Sequence, residues 1–273
     1  MDIGKLILVL FAAFVCELID SSLGMLYGTI LSPVLIIAGF DPLLVIPSIL
    51  FSQAIGGFVA SIGHHRLKNV DFSIEKDLVR RLSDLGYVEV FRRGTSKDLK
   101  VVFIVTCIGI LATITAALTA ICIPKIVLKT YIGVLVLVMG IILLSRARFN
   151  FSWWKIFGLG ILSAFNKGIS GGGFGPVVTA GQLISGREGK RSIGATALSE
   201  APICITGFLT YLIRNGLSRW DFALILTAGA ISGAMIGPHI TAKVKSERKL
   251  REGLGILVTL LGIWTLAKTW LIR

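Results

Sequence analysis

The chain has 273 residues, 54% of them apolar and 16% charged, with a mean hydropathy of +0.85 and a formal net charge of +13. A soluble domain carries about 25% charged residues, and the apolar content is spread too evenly to leave a soluble domain of normal size. The excess positive charge does not indicate nucleic acid, because the basic residues fall between apolar runs and on one side.

The first apolar segment, 6–19, breaks at Asp20-Ser21-Ser22-Leu23-Gly24 and resumes over 25–40. It has no basic leader or clean cleavage site, so it does not read as a removed signal peptide. Apolar stretches of about 10–14 residues suit re-entrant segments better than full spans. Long runs follow at 43–63, 101–124 and 126–145. The second half repeats the order: a short run at 153–166, a break at Lys167-Gly168-Ile169-Ser170-Gly171-Gly172-Gly173, a short run at 174–184, and long runs at 192–213, 222–242 and 254–270. A spanning helix needs about 20 apolar residues.

The halves also align residue by residue. Tyr27-Gly28 recurs as Phe174-Gly175, and Ser52-Gln53-Ala54 as Ser199-Glu200-Ala201, both 147 residues on. Gly57-Phe58 recurs as Gly207-Phe208, and Val70-Asp71-Phe72 as Trp220-Asp221-Phe222, both 150 residues on. Each short pair adds an even number of crossings and three long runs make each half odd, so the second half inserts upside down. The predicted fold is therefore an all-α polytopic membrane protein of two inverted-topology repeats, each with two short or broken helices and three long transmembrane helices. Residues 1–68 open the first repeat, 69–100 form a loop with an amphipathic helix, 101–150 complete the repeat, and 151–273 form the second.

Of the 28 Lys/Arg residues, nine lie in 64–100, three in 146–155, three in 187–191 and five in 243–251. This asymmetry places those loops in the cytoplasm and both termini outside, in a multi-pass plasma or inner membrane protein. In the long loop Ile74, Leu78, Leu82 and Leu85 follow a helical period, and 88–91 is β-prone. His64-His65 reads as a pair at headgroup level. Gly229, Gly233 and Gly237, spaced by four, read as a helix-packing face. Four scattered cysteines, with no CxxC, give no metal or disulfide signal, and no cofactor or nucleotide-binding motif is present.

Paired interrupted segments at matching positions point to a substrate site near the bilayer midplane. Backbone breaks at membrane depth must be buried in protein or line a polar cavity. Each break aims a helix N-terminus, a ready anion site, at the interior. The predicted substrate-binding residues are Ser21, Ser22, Gly24, Lys167, Ser170, Gly171, Gly172 and Gly173. Glu17, Asp20, Gln53 and Glu200 are candidates for coupling, since ionisable residues at membrane depth are functional by default. Glu200 reads alternatively as a carboxylate neutralised by Lys167 or by a neighbouring helix end, and Asp20 with Lys167 either as an ion pair or as residues that never meet. The expected partners are a small anion and the lipid bilayer, with no nucleic acid. Assembly into a homo-oligomer stays open.

The break Ile169-Ser170-Gly171-Gly172-Gly173-Phe174-Gly175-Pro176, the matching Ser22-Leu23-Gly24-Met25-Leu26-Tyr27-Gly28, and the Ser-Gln-Ala/Ser-Glu-Ala and Val-Asp-Phe/Trp-Asp-Phe repeats resemble the sulfite exporter TauE/SafE family. The first break departs from the Gly-rich form at Leu23 and Met25. The resemblance implies a secondary transporter, an exporter of sulfur-containing anions such as sulfite or organosulfonates, working by alternating access and not an enzyme. The competing readings are an intramembrane enzyme using Glu17, Asp20, Glu200 and Lys167, and an anion channel.

Overall fold

A computed structural model describes residues 3–24, 26–75, 89–145, 153–184, 187–243 and 248–271. Its helices are α1 (Ile3–Leu23), α2 (Tyr27–Ile37), α3 (Pro42–Arg66), α4 (Lys97–Cys122), α5 (Lys125–Leu144), α6 (Trp153–Ser170), α7 (Phe174–Ile184), α8 (Gly189–Asn215), α9 (Trp220–Lys243) and α10 (Arg248–Trp270). Among the described residues six helices are long and apolar enough to cross a membrane: α1, α3, α4, α5, α8 and α9. The only pairing of extended backbone among them is an isolated bridge between Ile74 and Thr95. Residues 89–94 are helical where the sequence is β-prone. The amphipathic helix expected around Leu78–Leu85 lies outside the described residues.

One expectation changes. The short segment 6–19 is part of a 21-residue helix that runs through Glu17, Asp20, Ser21 and Ser22. Likewise α6 runs through Asn166 and Lys167 to Ser170. Inside a helix the backbone satisfies its own hydrogen bonds, so a polar side chain need not end it if the neighbours supply its partner. The second arms, α2 and α7, are short, at 11 residues each.

Small residues set how the helices lie. Going down α9, a β-carbon added to Gly229 would meet Ala13 at 2.8 Å, one on Gly233 would meet Leu18 N at 2.7 Å, and Gly237 abuts Ser21, so α1 and α9 run parallel. Along α3, Gly56 faces Ala230 and Gly63 faces Pro238, again parallel to α9. A second parallel group forms from α4, α6 and α8: Gly160 faces Val105, Gly168 faces Ala116, Gly109 faces Ile203 and Gly207 faces Thr113. The two groups meet where Gly57 packs on Ala197 and Ala201 while Leu50 packs on Gly207, which makes α3 and α8 antiparallel. Helices approach closely through such residues where lipid gives no hydrophobic drive. Outward-facing apolar side chains such as Phe11, Leu111 and Ile213 are more than half exposed, as a lipid-covered surface requires.

The helix starts follow local chemistry. Asp41 caps α3, its carboxylate accepting from the Leu43 N–H at 2.9 Å ahead of Pro42 at the first turn, and Lys125 pairs with the same carboxylate. Partial burial would raise the Asp41 pKa, but the hydrogen bonds from Lys125 and Leu43 and the charge of Lys129 hold it below the usual value. A depressed folded-state pKa contributes stability that is present above the unfolded pKa and lost as pH falls through the folded one. Asp41→Ala is therefore expected to lower stability by about 1 kcal/mol at neutral pH, and Asp41→Asn, an equally good cap, by much less. Thermal unfolding in detergent checks this. Equal losses would assign the effect to Lys125 instead of the cap.

Candidate functional site

The two breaks share one backbone geometry. After α1, Gly24 has φ +71° and Leu26 has φ +107°; after α6, Gly171 has φ +74° and Gly173 has φ +79°. Positions 24 and 26 match 171 and 173 at the 147-residue offset of the sequence repeat. Glycine adopts positive φ freely, whereas leucine is strained there by roughly 1–3 kcal/mol. The first break thus departs from the glycine pattern at Leu26; Leu23 is ordinary helix, and Met25 lies outside the described residues.

The breaks are in contact. A β-carbon on Gly28, in the first turn of α2, would run into the Gly171 carbonyl, and one on Gly172 would lie 2.7 Å from Thr29 N. Across this contact the Gly173 N–H donates to Thr29 Oγ1 at 3.0 Å, and the Ser32 hydroxyl donates to the Ser170 carbonyl at 2.8 Å. In the mirror-image place, Thr179 of α7 donates to the Gly24 carbonyl at 2.6 Å. Ser32 and Thr179 are again 147 residues apart. Each short arm is clasped to the other half's break.

Amides at both breaks, assigned by sequence to an anion, have protein partners. Tyr27 N–H, at the start of α2, donates to Asp20 Oδ1 at 2.9 Å, and Gly172 N–H donates to Ser170 Oγ at 3.1 Å. A carboxylate at a helix N-terminus sits where a free anion would be favoured.

From Asp20 a buried polar chain crosses to the second half. Gln53 Nε2 donates to Asp20 Oδ2 at 3.1 Å, Lys167 donates to Gln53 Oε1, and Lys167 Nζ lies 2.7 Å from Glu200 Oε1. Lys167 is 1% exposed and Glu200 4%. Asp20 and Lys167, at matching positions, are joined through Gln53 and not as an ion pair; the partner of Lys167 is Glu200. One ammonium thus stands among three carboxyl groups, Glu17 being the third. Glu17 is 1% exposed and its Oε2 has no hydrogen-bond partner.

The three serines do not converge. Ser21 and Ser170 donate to carbonyls four residues back, both at 2.6 Å, and Ser22 does the same to Leu18. Ser21 and Ser22 face α9, where their carbonyls accept from Thr241. The Ser21 carbonyl also accepts from His64 Nε2 at 2.9 Å, and His64 Nδ1 in turn accepts from Asn69. His64 is therefore fully buried among protein groups, while its neighbour His65 is exposed. Sequence reading missed His64, Thr29, Ser32, Thr179 and the Gln182–Thr196 hydrogen bond of 3.1 Å. A hydroxyl at both 32 and 179 was the available signal, visible once the halves are superposed on the 147-residue offset. No group of three or more His, Cys, Asp or Glu suited to a metal occurs among the described residues.

The chain is similar to known proteins in two respects. The family model "Sulfite exporter TauE/SafE" matches residues 82–265, well over half of the chain, which therefore belongs to that family. The "Probable membrane transporter protein YtnM" of Bacillus subtilis (strain 168) is 25% identical over 283 residues, covering 98% of this chain and 84% of that protein. No solved structure matches. The chain is thus a multi-pass membrane protein of a transporter family, which points away from catalysis.

Proposed function

We propose that the chain is a secondary transporter, an exporter, of small anions, sulfur-containing ones such as sulfite or organosulfonates, with its site between the two breaks. The observation that carries this reading is the contact of two breaks of one backbone geometry, flanked at matching positions by Asp20 and Lys167. Two antiparallel groups of helices with corresponding members, α1, α3, α9 and α6, α8, α4, support an inverted repeat. Rocking of one group against the other gives alternating access. Loops 64–100, 146–155, 187–191 and 243–251 face the cytoplasm and the termini lie outside.

In this mechanism Asp20 stands in for the substrate. Its carboxylate holds the Tyr27 N–H at 2.9 Å, the place an anion would take. An arriving anion takes the amide end of α2 and draws on the Lys167 charge, while Asp20 keeps the Gln53 Nε2 donor. Only a ligand that interacts differently with the two states can shift them, and this exchange supplies such a difference.

Counterflow in proteoliposomes tests the proposal: vesicles loaded with unlabelled sulfite, sulfate or methanesulfonate should take up the labelled anion transiently and saturably. Absence of exchange for all three, or a non-saturating conductance, would sink it. The conductance would favour a channel.

A further inference from the structure

We propose that Glu17 takes up and releases the coupling proton, so that anion and proton cross together. The inference rests on the transporter reading and names the group that couples it. Of the three buried carboxyls, two are committed. Glu200 is paired with Lys167 at 2.7 Å. Asp20 accepts with both oxygens, from Tyr27 N–H and from Gln53 Nε2, which fixes it as an acceptor. Glu17 alone has a buried oxygen, Oε2, without a partner. Its protonation can change without breaking any of these bonds.

Packing alone does not require a carboxyl at this position. In the second half, 147 residues on, stands Ala164, packed with Ile203 against Gly109. In the first half, room for the longer side chain comes from two glycines. A β-carbon on Gly56 of α3 would lie 3.3 Å from Glu17 Cδ, and one on Gly233 of α9 would lie 2.9 Å from Glu17 Cβ. An ionisable group retained at membrane depth where a methyl would pack is a functional group by default.

The same closeness selects the ion. A sodium ion needs several oxygen ligands and the room to seat them, and the Glu17 carboxyl is crowded on the α3 side, where a β-carbon on Gly56 would lie 3.3 Å from its Cδ. A proton needs no added room. The charged and titratable groups near Glu17 are Cys16 and Asp20 on its own helix, Tyr27 on α2, Lys167 on α6, and Glu200 and Cys204 on α8, with neutral Gln53 on α3 beside Asp20. On the α9 side Gly233 lies against the Glu17 side chain. An anion added to this set raises the local negative charge, and a proton on Glu17 offsets it. The two therefore bind together, and the two gradients set the direction of flow.

The test uses purified full-length protein in proteoliposomes and whichever of sulfite, sulfate and methanesulfonate exchanges fastest. Wild type should accumulate that anion when the outside is made acid, and a sodium gradient should have no effect. Glu17→Gln should keep counterflow within about twofold of wild type and lose the acid-driven accumulation. Glu17→Asp should restore accumulation with a displaced pH midpoint. It decides the matter should Glu17→Gln not survive reconstitution, because a midpoint identical to wild type then overturns the proposal. Accumulation by Glu17→Gln equal to wild type, indifference of wild type to the pH gradient, or loss of counterflow in monodisperse Glu17→Gln overturns it too. If wild type exchanges none of the three anions, the transporter reading itself falls.

Discussion

Lys167→Met is expected to abolish anion exchange and to destabilise the protein by roughly 3–5 kcal/mol, the cost of leaving one member of a buried pair uncompensated. The methionine chain fills nearly the same space, so the loss is electrostatic. Glu200 would lose its partner at 2.7 Å and Gln53 would lose the donor to its Oε1, in a region where neither carboxylate nor amide reaches water. The double variant Lys167→Met/Glu200→Gln removes both charges and should recover most of the stability, because no uncompensated charge of the pair is then left buried. Exchange should not return, since the interior then has no fixed cation to draw an anion in. Thermal unfolding in detergent and counterflow in proteoliposomes separate the two effects. A double variant that exchanges at the wild-type rate would remove Lys167 from the site and leave the Lys167–Glu200 pair as a strut.

The pair also marks where sequence reading stops. Lys167 and Glu200 each stand out as ionisable residues in apolar runs, but their contact depends on α6 and α8 both packing against α4, a matter of small-residue seams such as Gly109 against Ile203 and Gly168 against Ala116. The breaks were legible because Ser170-Gly171-Gly172-Gly173 and Ser21-Ser22-Leu23-Gly24 interrupt apolar runs, and the predicted 174–184 segment coincides with Phe174–Ile184. The length of α1 was not. Glu17 and Asp20 look like the end of an apolar run, and only the folded chain supplies the Tyr27 amide and Gln53 that let Asp20 stay inside a helix. The burial of His64 was illegible for a related reason. In a His-His pair at a helix end the two rings face different ways, and nothing local says which faces the interior; the Ser21 carbonyl and Asn69 decide it. The serines misled because a hydroxyl in a helix can bond the carbonyl four residues back, which uses it locally.

Gly28→Ala should be the most damaging single methyl added to the chain. Its β-carbon would run into the Gly171 carbonyl and lie 2.6 Å from Gly171 C, and both obstacles are backbone. Overpacking usually costs about 1–3 kcal/mol because side chains yield by changing rotamer. Here nothing can rotate away, so the breaks must separate, taking with them the hydrogen bonds from Gly173 to Thr29 and from Ser32 to Ser170. Exchange should fall at least tenfold, equivalent to about 1.4 kcal/mol or more in the barrier. Gly172→Ala, which meets Gly28 C at 2.7 Å from the other side, should behave alike. Gly158→Ala is the control: a β-carbon there has nothing within 4 Å, and in a helix interior alanine is better than glycine by up to about 1 kcal/mol. Thermal stability read beside counterflow then discriminates between two roles for the contact. Gly28→Ala that is folded and inactive makes the closed approach of the breaks a state the transport cycle must reach. Gly28→Ala that is folded and fully active makes it a spacing the cycle can do without, and the site would then have to lie elsewhere along the Asp20–Gln53–Lys167–Glu200 chain.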